Sequence, residues 1–510
     1  MTDFRLVSAT PVLAAILTLL AGRQFWFAEL ANAERPNLVI IYADDMGFGD
    51  LGVQNPDSKI ATPHLDALAR QGMRFTDAHS SSGICTPSRY ALLTGRYHWR
   101  KMHGIVGAWG DSVFADERLT LPEMLKSQGY RTACIGKWHL GFDWSAIRKP
   151  SAKPVKSGRN LVYAADDFDW TQPIPSGPLA HGFDYYFGDD VPNFPPYTWI
   201  ENDHVTTAPT IPYVPEPRPT EGAPEGRPGP MVEGWKQDAV MPRLTERAVA
   251  WIENQRNSDQ PFFLYWPWTS PHAPIVPTTD WQGQTDVGGY GDFVAQSDHH
   301  AGEFLRALDE NGFRENTIVI FTADNGPEKY AYDRIRNHEH YSSGPLRGGK
   351  RDIYEGGHRV PFLVRWPGVV EAGTITEGLM SQIDIMATMA RIIGFELPDA
   401  AADDSHDQME LWMGGASARD SIVHNTKKDH YAVRRDNWVL IDAPSGYVSG
   451  VPDWFAEQEG FEKNPHQAAL FDLSVDVGQR ENLFAQETAR VRELQDLLQQ
   501  TRKAGEVRSR

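Results

Sequence analysis

The chain is predicted to be an α/β protein: a mostly parallel sheet sandwiched by helices, with a smaller α+β subdomain at the C-terminal end. Three observations predict it. Short apolar runs alternate with amphipathic segments from Pro36 onward, the runs end in polar residues, and the alternation stops near Gly394, after which closely spaced strand candidates follow.

Taken in order, PNLVIIYADD (36–45) is a short apolar run ending in acids, and PHLDALARQG (63–72) is a helix with a glycine stop. LPEMLKSQGYRTACIGKWHLG (121–141) reads as helix, glycine, then strand. The same grammar returns in RLTERAVAWIENQ followed by PFFLYWPWTSPHAP (243–274), and in DFVAQSDHHAGEFLRALDENG followed by TIVIFTADNG (292–326). Between 143 and 242 it breaks down into Pro, Gly, Asp and aromatic residues, which suits a substrate-facing insertion whose Pro-rich 206–230 part is a mobile loop. After the helix IDIMATMARIIG (383–394) come strand candidates SIVHNT, HYAVRRDNWVLID and AALFDL, then a closing helix TARVRELQDLLQQTRK (488–503). The expected organisation is therefore a leader over 1–33, a main α/β domain over 34–395 and an α+β subdomain over 396–510.

The leader is read from Arg5, the apolar run Val12–Ala21 and the small-x-small site Ala31-Asn32-Ala33. The run is well short of the roughly 20 residues that cross a bilayer, so an exported, periplasmic or secreted chain without a stable membrane anchor is expected. Its net charge of −19 argues against a nucleic-acid surface. An anionic ligand would need a local basic cluster.

Ligands of open α/β sheets sit beyond the carboxyl ends of the strands. The polar residues at those ends are Asp44 and Asp45, Lys137 and His139, His272, and Asp324 and Asn325. All should face one crevice. Asp44, Asp45, Asp324 and Asn325 are four hard oxygen donors, a set suited to Ca²⁺ or, alternatively, Mg²⁺; each pair alone is also an ordinary turn sequence. Lys137, His139, His272, Lys350 and Arg89 add cations and proton donors, and a basic cluster beside a metal suits a tetrahedral oxyanion. Cys85 precedes Pro87, which would open the helix PSRYALLTG and place the thiol just before a helix N-terminus. Two readings of Cys85 from the residues alone are a low-pKa nucleophile and a disulfide with Cys134, the other cysteine of this chain.

The motif CTPSR at 85–89, followed by YALLTGRY, resembles the C-x-P-S-R signature of type I, formylglycine-dependent sulfatases. YADDMGFGDLG, GKWHLG, SPHAP, FTADNG and LRGGKRDIYEGGHRVPFLVRWPG extend the resemblance, in family order, from Pro36 to Gly394. It implies an arylsulfatase-like sulfuric ester hydrolase with an alkaline-phosphatase-like fold. It also implies conversion of Cys85 to formylglycine by a formylglycine-generating or sulfatase-maturing enzyme, which removes the case for a disulfide. In that reading one Ca²⁺ is held by Asp44, Asp45, residue 85, Asp324 and Asn325. A hydroxyl of the residue 85 gem-diol attacks sulfur, giving a sulfo-enzyme intermediate, while His272 and Lys350 serve the leaving alcohol. His139 then deprotonates the second hydroxyl, and Arg89 and Lys137 hold the diol and the sulfate.

The substrate is read as a sulfated carbohydrate, from Asp189, Asp190, Asn193, Tyr197 and Trp199 in the insertion, with His103, His338 and His340 as further candidates. The alternatives are a phosphonate or phosphate ester hydrolase of the same superfamily and a non-catalytic glycan-binding protein.

Overall fold

A computed structural model describes residues 35–115, 117–158, 160–215, 221 and 225–508; the leader expected over 1–33 lies outside the described residues. A ten-stranded sheet organises the molecule. Its strands are β1 (Asn37–Asp44), β2 (Met73–Phe75), β3 (Arg131–Ile135), β4 (Tyr185–Gly188), β5 (Ile200–Glu201), β6 (His204–Val205), β7 (Phe262–Pro271), β8 (Thr317–Ala323), β9 (Phe362–Arg365) and β10 (Thr374–Thr376), in the order β10-β2-β9-β8-β1-β7-β3-β4-β5-β6. The five middle strands, β8 to β4 in that order, run parallel. β9 joins β8 and β2 antiparallel, and β5 and β6 close the other side as antiparallel edge strands.

β1 is buried along its whole length, as a strand flanked by two parallel neighbours and covered on both faces must be. Its alternating side chains feed two cores. Leu38, Ile40 and Tyr42 pack with the helices α2 (Cys85–Thr94), α3 (Leu121–Ser127) and α6 (Ile385–Ile393), while Val39, Ile41 and Ala43 pack with α1 (Pro63–Arg70), α4 (Val240–Glu253) and α5 (Gly288–Glu310). The expected helix–sheet–helix sandwich is thus observed.

Two features depart from the sequence reading, and one lies partly outside the described residues. The stretch 143–242 is not wholly irregular: it supplies β4, β5 and β6 to the central sheet, and Ile211–Tyr213 pairs with Gly229–Met231. Part of the loop expected to be mobile, 216–220 and 222–224, lies outside the described residues. The run HYAVRRDNWVLID is two strands, because Asp436 takes a left-handed turn at φ 52°.

The C-terminal sheet is antiparallel: β11 (Ser421–Lys427), β12 (His430–Arg435), β13 (Trp438–Asp442) and β14 (Ala469–Asp472), with α7 (Thr488–Lys503) against it. It backs the main sheet's loops from two sides. Ile422, Val433 and Leu440 share a core with Ala91 of α2, and Val439 and Ile441 share one with Ile353 and Tyr354. No helix among the described residues is long and apolar enough to cross a membrane.

Candidate active site

The predicted strand-end residues converge at the carboxyl edge of the five parallel strands. Asp44 and Asp45 leave β1, Lys137 and His139 follow β3, His272 follows β7, and Asp324 and Asn325 follow β8. All are buried except His272, which is partly exposed. Asp45 and His139 are non-glycine residues at positive φ, 62° and 53°, so the chain turns sharply out of its strands at both places.

α2 brings in residue 85. Ile84, extended at φ −145° and ψ 152°, is the N-cap, so Cys85 is the first helical residue and not, as expected, the residue before the helix. Pro87 falls at the third position, where a missing N–H costs nothing because first-turn N–H groups have no helical partner. Gly95, at φ 63°, ends the helix. Cys85 and Cys134 are both free and buried, so the disulfide reading is overturned. Burial pushes the Cys85 thiol well up, against the pull of Lys137 and Lys350, so a low-pKa thiolate is overturned too.

Arg89, one turn further on, is fully buried. Its Nε and Nη2 donate to Asp324 Oδ2 at 3.1 and 2.8 Å, and Nη1 donates to the Lys137 carbonyl at 3.1 Å. Lys137 donates to Asp44 Oδ2, and Lys350 Nζ donates to Asp45 Oδ2 at 2.6 Å. Asp45 Oδ1 accepts from Asn325 Nδ2 at 2.7 Å, and Asp324 Oδ1 accepts the Asp45 N–H at 3.1 Å. Burial opposes the charge on Asp44 but is outweighed by Lys137, His272 and Arg89, which hold its carboxyl well below the usual range. Asp324 moves the other way: burial and Asp44 raise it to about 7.

Two buried oxygens here, Asp44 Oδ1 and Asn325 Oδ1, have no hydrogen-bond partner. Ligand atoms of Asp44, Asp45, Cys85 and His272 lie within 4.8 Å of one another. Unsatisfied buried oxygens beside crowded carboxylates are the chemistry a hard divalent cation completes, so the residues present fit one.

His139 Nε2 lies 3.0 Å from the Val106 carbonyl, the His139 backbone N–H donates to Asp190 Oδ1 at 3.0 Å, and Nδ1 is buried without a partner. Burial, with Lys137 and Arg89, holds this imidazole neutral. His272 sits with Nδ1 2.5 Å from the Ala273 carbonyl and Nε2 3.7 Å from Asp45 Oδ2; burial, Lys350 and Lys137 bring it down to about 4.

A cleft opens over Cys85, Asp45, His139, His272 and Lys350. Its upper wall holds residues the sequence did not single out: Phe194, Glu225, Arg227, Glu328, Tyr330 and Arg351. Arg227 stacks on Phe194 at 3.6 Å, and Arg351 forks onto Glu328 with two contacts of 2.7 Å. Nothing in spacing or periodicity marks them, since they lie in loops.

Of the sugar-binding candidates, Asn193 alone among the described residues lines this cleft. Tyr197 hydrogen-bonds the Arg227 carbonyl, Trp199 stacks on Phe187, His103 pairs with Asn425 and His340 with Asp50. His338 ends a short helix beside Gly288. Asp189 and Asp190 are buried behind His139, with Asp189 raised to about 7 by burial and Asp190.

A family model described as Sulfatase matches residues 36–395. An N-acetylgalactosamine-6-O-sulfatase of Bacteroides thetaiotaomicron is 32% identical over 507 residues, covering 92% of this chain and 93% of its own. Human arylsulfatase A is 31% identical over 475 residues, covering 90% and 85%. A solved 6S-sulf structure from work on glycosaminoglycan metabolism by Bacteroides thetaiotaomicron superposes with a TM-score of 0.76 at 30% identity, covering 92% of this chain and all of that one.

Proposed function

Because the chain belongs to the sulfatase family and is a sulfuric ester hydrolase, we propose that it acts on a sulfated carbohydrate, with the 6-sulfate of N-acetylgalactosamine as the first substrate to test. The names of its relatives support the sugar. One observation carries the chemistry: residue 85 lies on the floor of the cleft, between a hard-oxygen metal set and an imidazole whose Nδ1 is free to take a proton.

In this reading Cys85 is matured to formylglycine by an enzyme that reads Cys85–Arg89, and the chain is exported. A divalent cation, calcium with magnesium as the alternative, would be held by Asp44, Asp45, residue 85, Asp324 and Asn325, and supplies fixed positive charge for the oxyanion. As an aldehyde hydrate, residue 85 supplies two hydroxyls: one takes the sulfuryl group from the ester, and the other gives up its proton as sulfate leaves and the aldehyde returns.

The chain's own residues do the rest. Arg89 fixes Asp324 and the Lys137 carbonyl with three donors, so the two strand ends cannot drift apart. Lys137 and Lys350 are buried and donate to Asp44 and Asp45, the carboxylates beside residue 85. Lys350 donates toward the leaving oxygen. His272 is neutral in the resting site, and an arriving anionic ester raises its proton affinity so that it shares that task. The proton of the second hydroxyl goes to Nδ1 of His139, because the Val106 carbonyl can only accept and therefore keeps the imidazole hydrogen on Nε2.

The test is sulfate release from N-acetylgalactosamine 6-sulfate and its 4-sulfate isomer, beside matched aryl sulfate and aryl phosphonate esters. Faster turnover of the 6-sulfate and of the aryl sulfate is expected. Preference for the phosphonate would favour the other ester class, and sugar binding without turnover would favour a binding protein.

A further inference from the structure

We propose that Thr86, the residue after the modified cysteine, is a positioning residue that locks the base His139 in its working tautomer; this rests on the role given to His139 above. Thr86 is fully buried in the first turn of α2. Its hydroxyl donates to the His139 carbonyl at 2.8 Å and accepts the Val106 N–H at 3.1 Å. The Val106 carbonyl in turn faces His139 Nε2 at 3.0 Å. The three contacts close a circuit: threonine hydroxyl to histidine backbone, histidine ring to valine carbonyl, valine N–H back to the hydroxyl.

The circuit decides which nitrogen is the base. A neutral imidazole carries one hydrogen, and a carbonyl beside Nε2 keeps it there, leaving Nδ1 with a bare lone pair. The carbonyl that does this sits on a partly exposed loop. Gly104 and Gly107 flank Val106 with no neighbouring atoms crowding either, and Ile105 is about half exposed, at 48%. The Thr86 hydroxyl fastens that loop to the same turn of helix that carries residue 85. Nucleophile and base are therefore set by adjacent residues of one helix.

Thr86→Val keeps the shape and removes both hydrogen bonds; Thr86→Ser keeps the hydroxyl. With rates normalised to the aldehyde content of residue 85, Thr86→Val is expected to lower kcat about 10- to 100-fold, since a small misplacement of a catalytic group costs that much, with KM falling in step so that kcat/KM is nearly unchanged. The loss should fall on sulfate release, leaving alcohol release in the first turnover fast, and Thr86→Ser should recover most of it. A kcat for Thr86→Val within about twofold of the parent overturns the proposal.

Because residue 86 lies within the maturation motif, a second readout uses the unmatured chain. Nitrogen-15 histidine NMR, with the His139 signal assigned by His139→Ala, should show the Nε2–H tautomer in the parent and in Thr86→Ser, and loss of that single tautomer in Thr86→Val. An unchanged tautomer in Thr86→Val overturns the proposal. A parent that releases no sulfate defeats the functional reading instead, and the NMR result still decides the role of Thr86.

Discussion

Replacing Lys350 by methionine keeps the length of the side chain and removes one buried cation from the leaving-group side of the cleft. Lys350 is 5% exposed, and its charge is held up by Asp45 and Glu328 against the cost of burial. At such a site an effective dielectric of about 20 makes a unit charge about 4 Å away worth about 4 kcal/mol. If two-thirds or more of that acts on charge developing at the leaving oxygen, kcat falls about 10²- to 10³-fold. The loss must depend on the leaving group. A sugar alkoxide needs the proton, whereas 4-nitrophenolate leaves well without it. The assay is kcat for N-acetylgalactosamine 6-sulfate and for 4-nitrophenyl sulfate, on protein of known aldehyde content. Equal losses on the two substrates, or a loss below about tenfold on the sugar, would refute the assignment of Lys350 to the leaving group.

Asp45→Asn leaves the fold in place but removes the carboxylate that anchors Lys350 and serves the metal set, so a loss of more than about 10² in kcat and weaker calcium binding by calorimetry are expected. Asp77 accepts a bidentate contact from Arg434 of β12, at 2.7 and 2.6 Å, and Arg359, Arg434 and His79 outweigh burial to hold its carboxyl well below the usual range. Its folded pKa is depressed, so its stabilisation is present above about pH 4 and is lost as pH falls through the folded value. Asp77→Asn should therefore lower the melting temperature roughly 3–5 °C at pH 7, with the gap closing in acid. Asp189 has no partner for either oxygen and is raised to about 7, the opposite sign: its charge destabilises the fold as pH rises from about 4 through 7. Asp189→Asn should raise stability at pH 8 by about 1–3 kcal/mol in denaturant unfolding and leave it unchanged near pH 4.

The site was legible where strand physics decides position. Asp44, Lys137, His272 and Asp324 were found because apolar runs buried on both faces end in residues that must lie at one edge of a parallel sheet. Loop-borne residues gave no such signal. Glu225 and Arg227 reach the cleft from a Pro-rich segment with no period, and Val106 acts through its backbone, which side-chain patterns do not encode. The start of α2 was misplaced by two residues because proline is at home anywhere in a first turn, and the extended Ile84, not Pro87, sets the boundary. Tyr197, Trp199 and His340 show the opposite error, since residues suited to sugar binding serve equally well as packing and hydrogen-bonding partners. The chain beyond Gly394 carried no motif, yet Ser449, in a loop, and Thr426, in β11, hold the carbonyls of Lys350 and Arg351 at 2.8 and 2.6 Å. Its contribution to the site is mechanical, and it shows only in contacts between distant segments.

The most direct test of the account is the mass of the proteolytic peptide spanning residue 85, taken from protein isolated in its native host and shown to release sulfate. The account predicts an aldehyde or its hydrate at residue 85 in the active material. An intact thiol in protein that turns over sulfate esters would contradict it, because a buried thiol whose proton is held this tightly offers neither the nucleophile nor the second hydroxyl on which the proposed release depends.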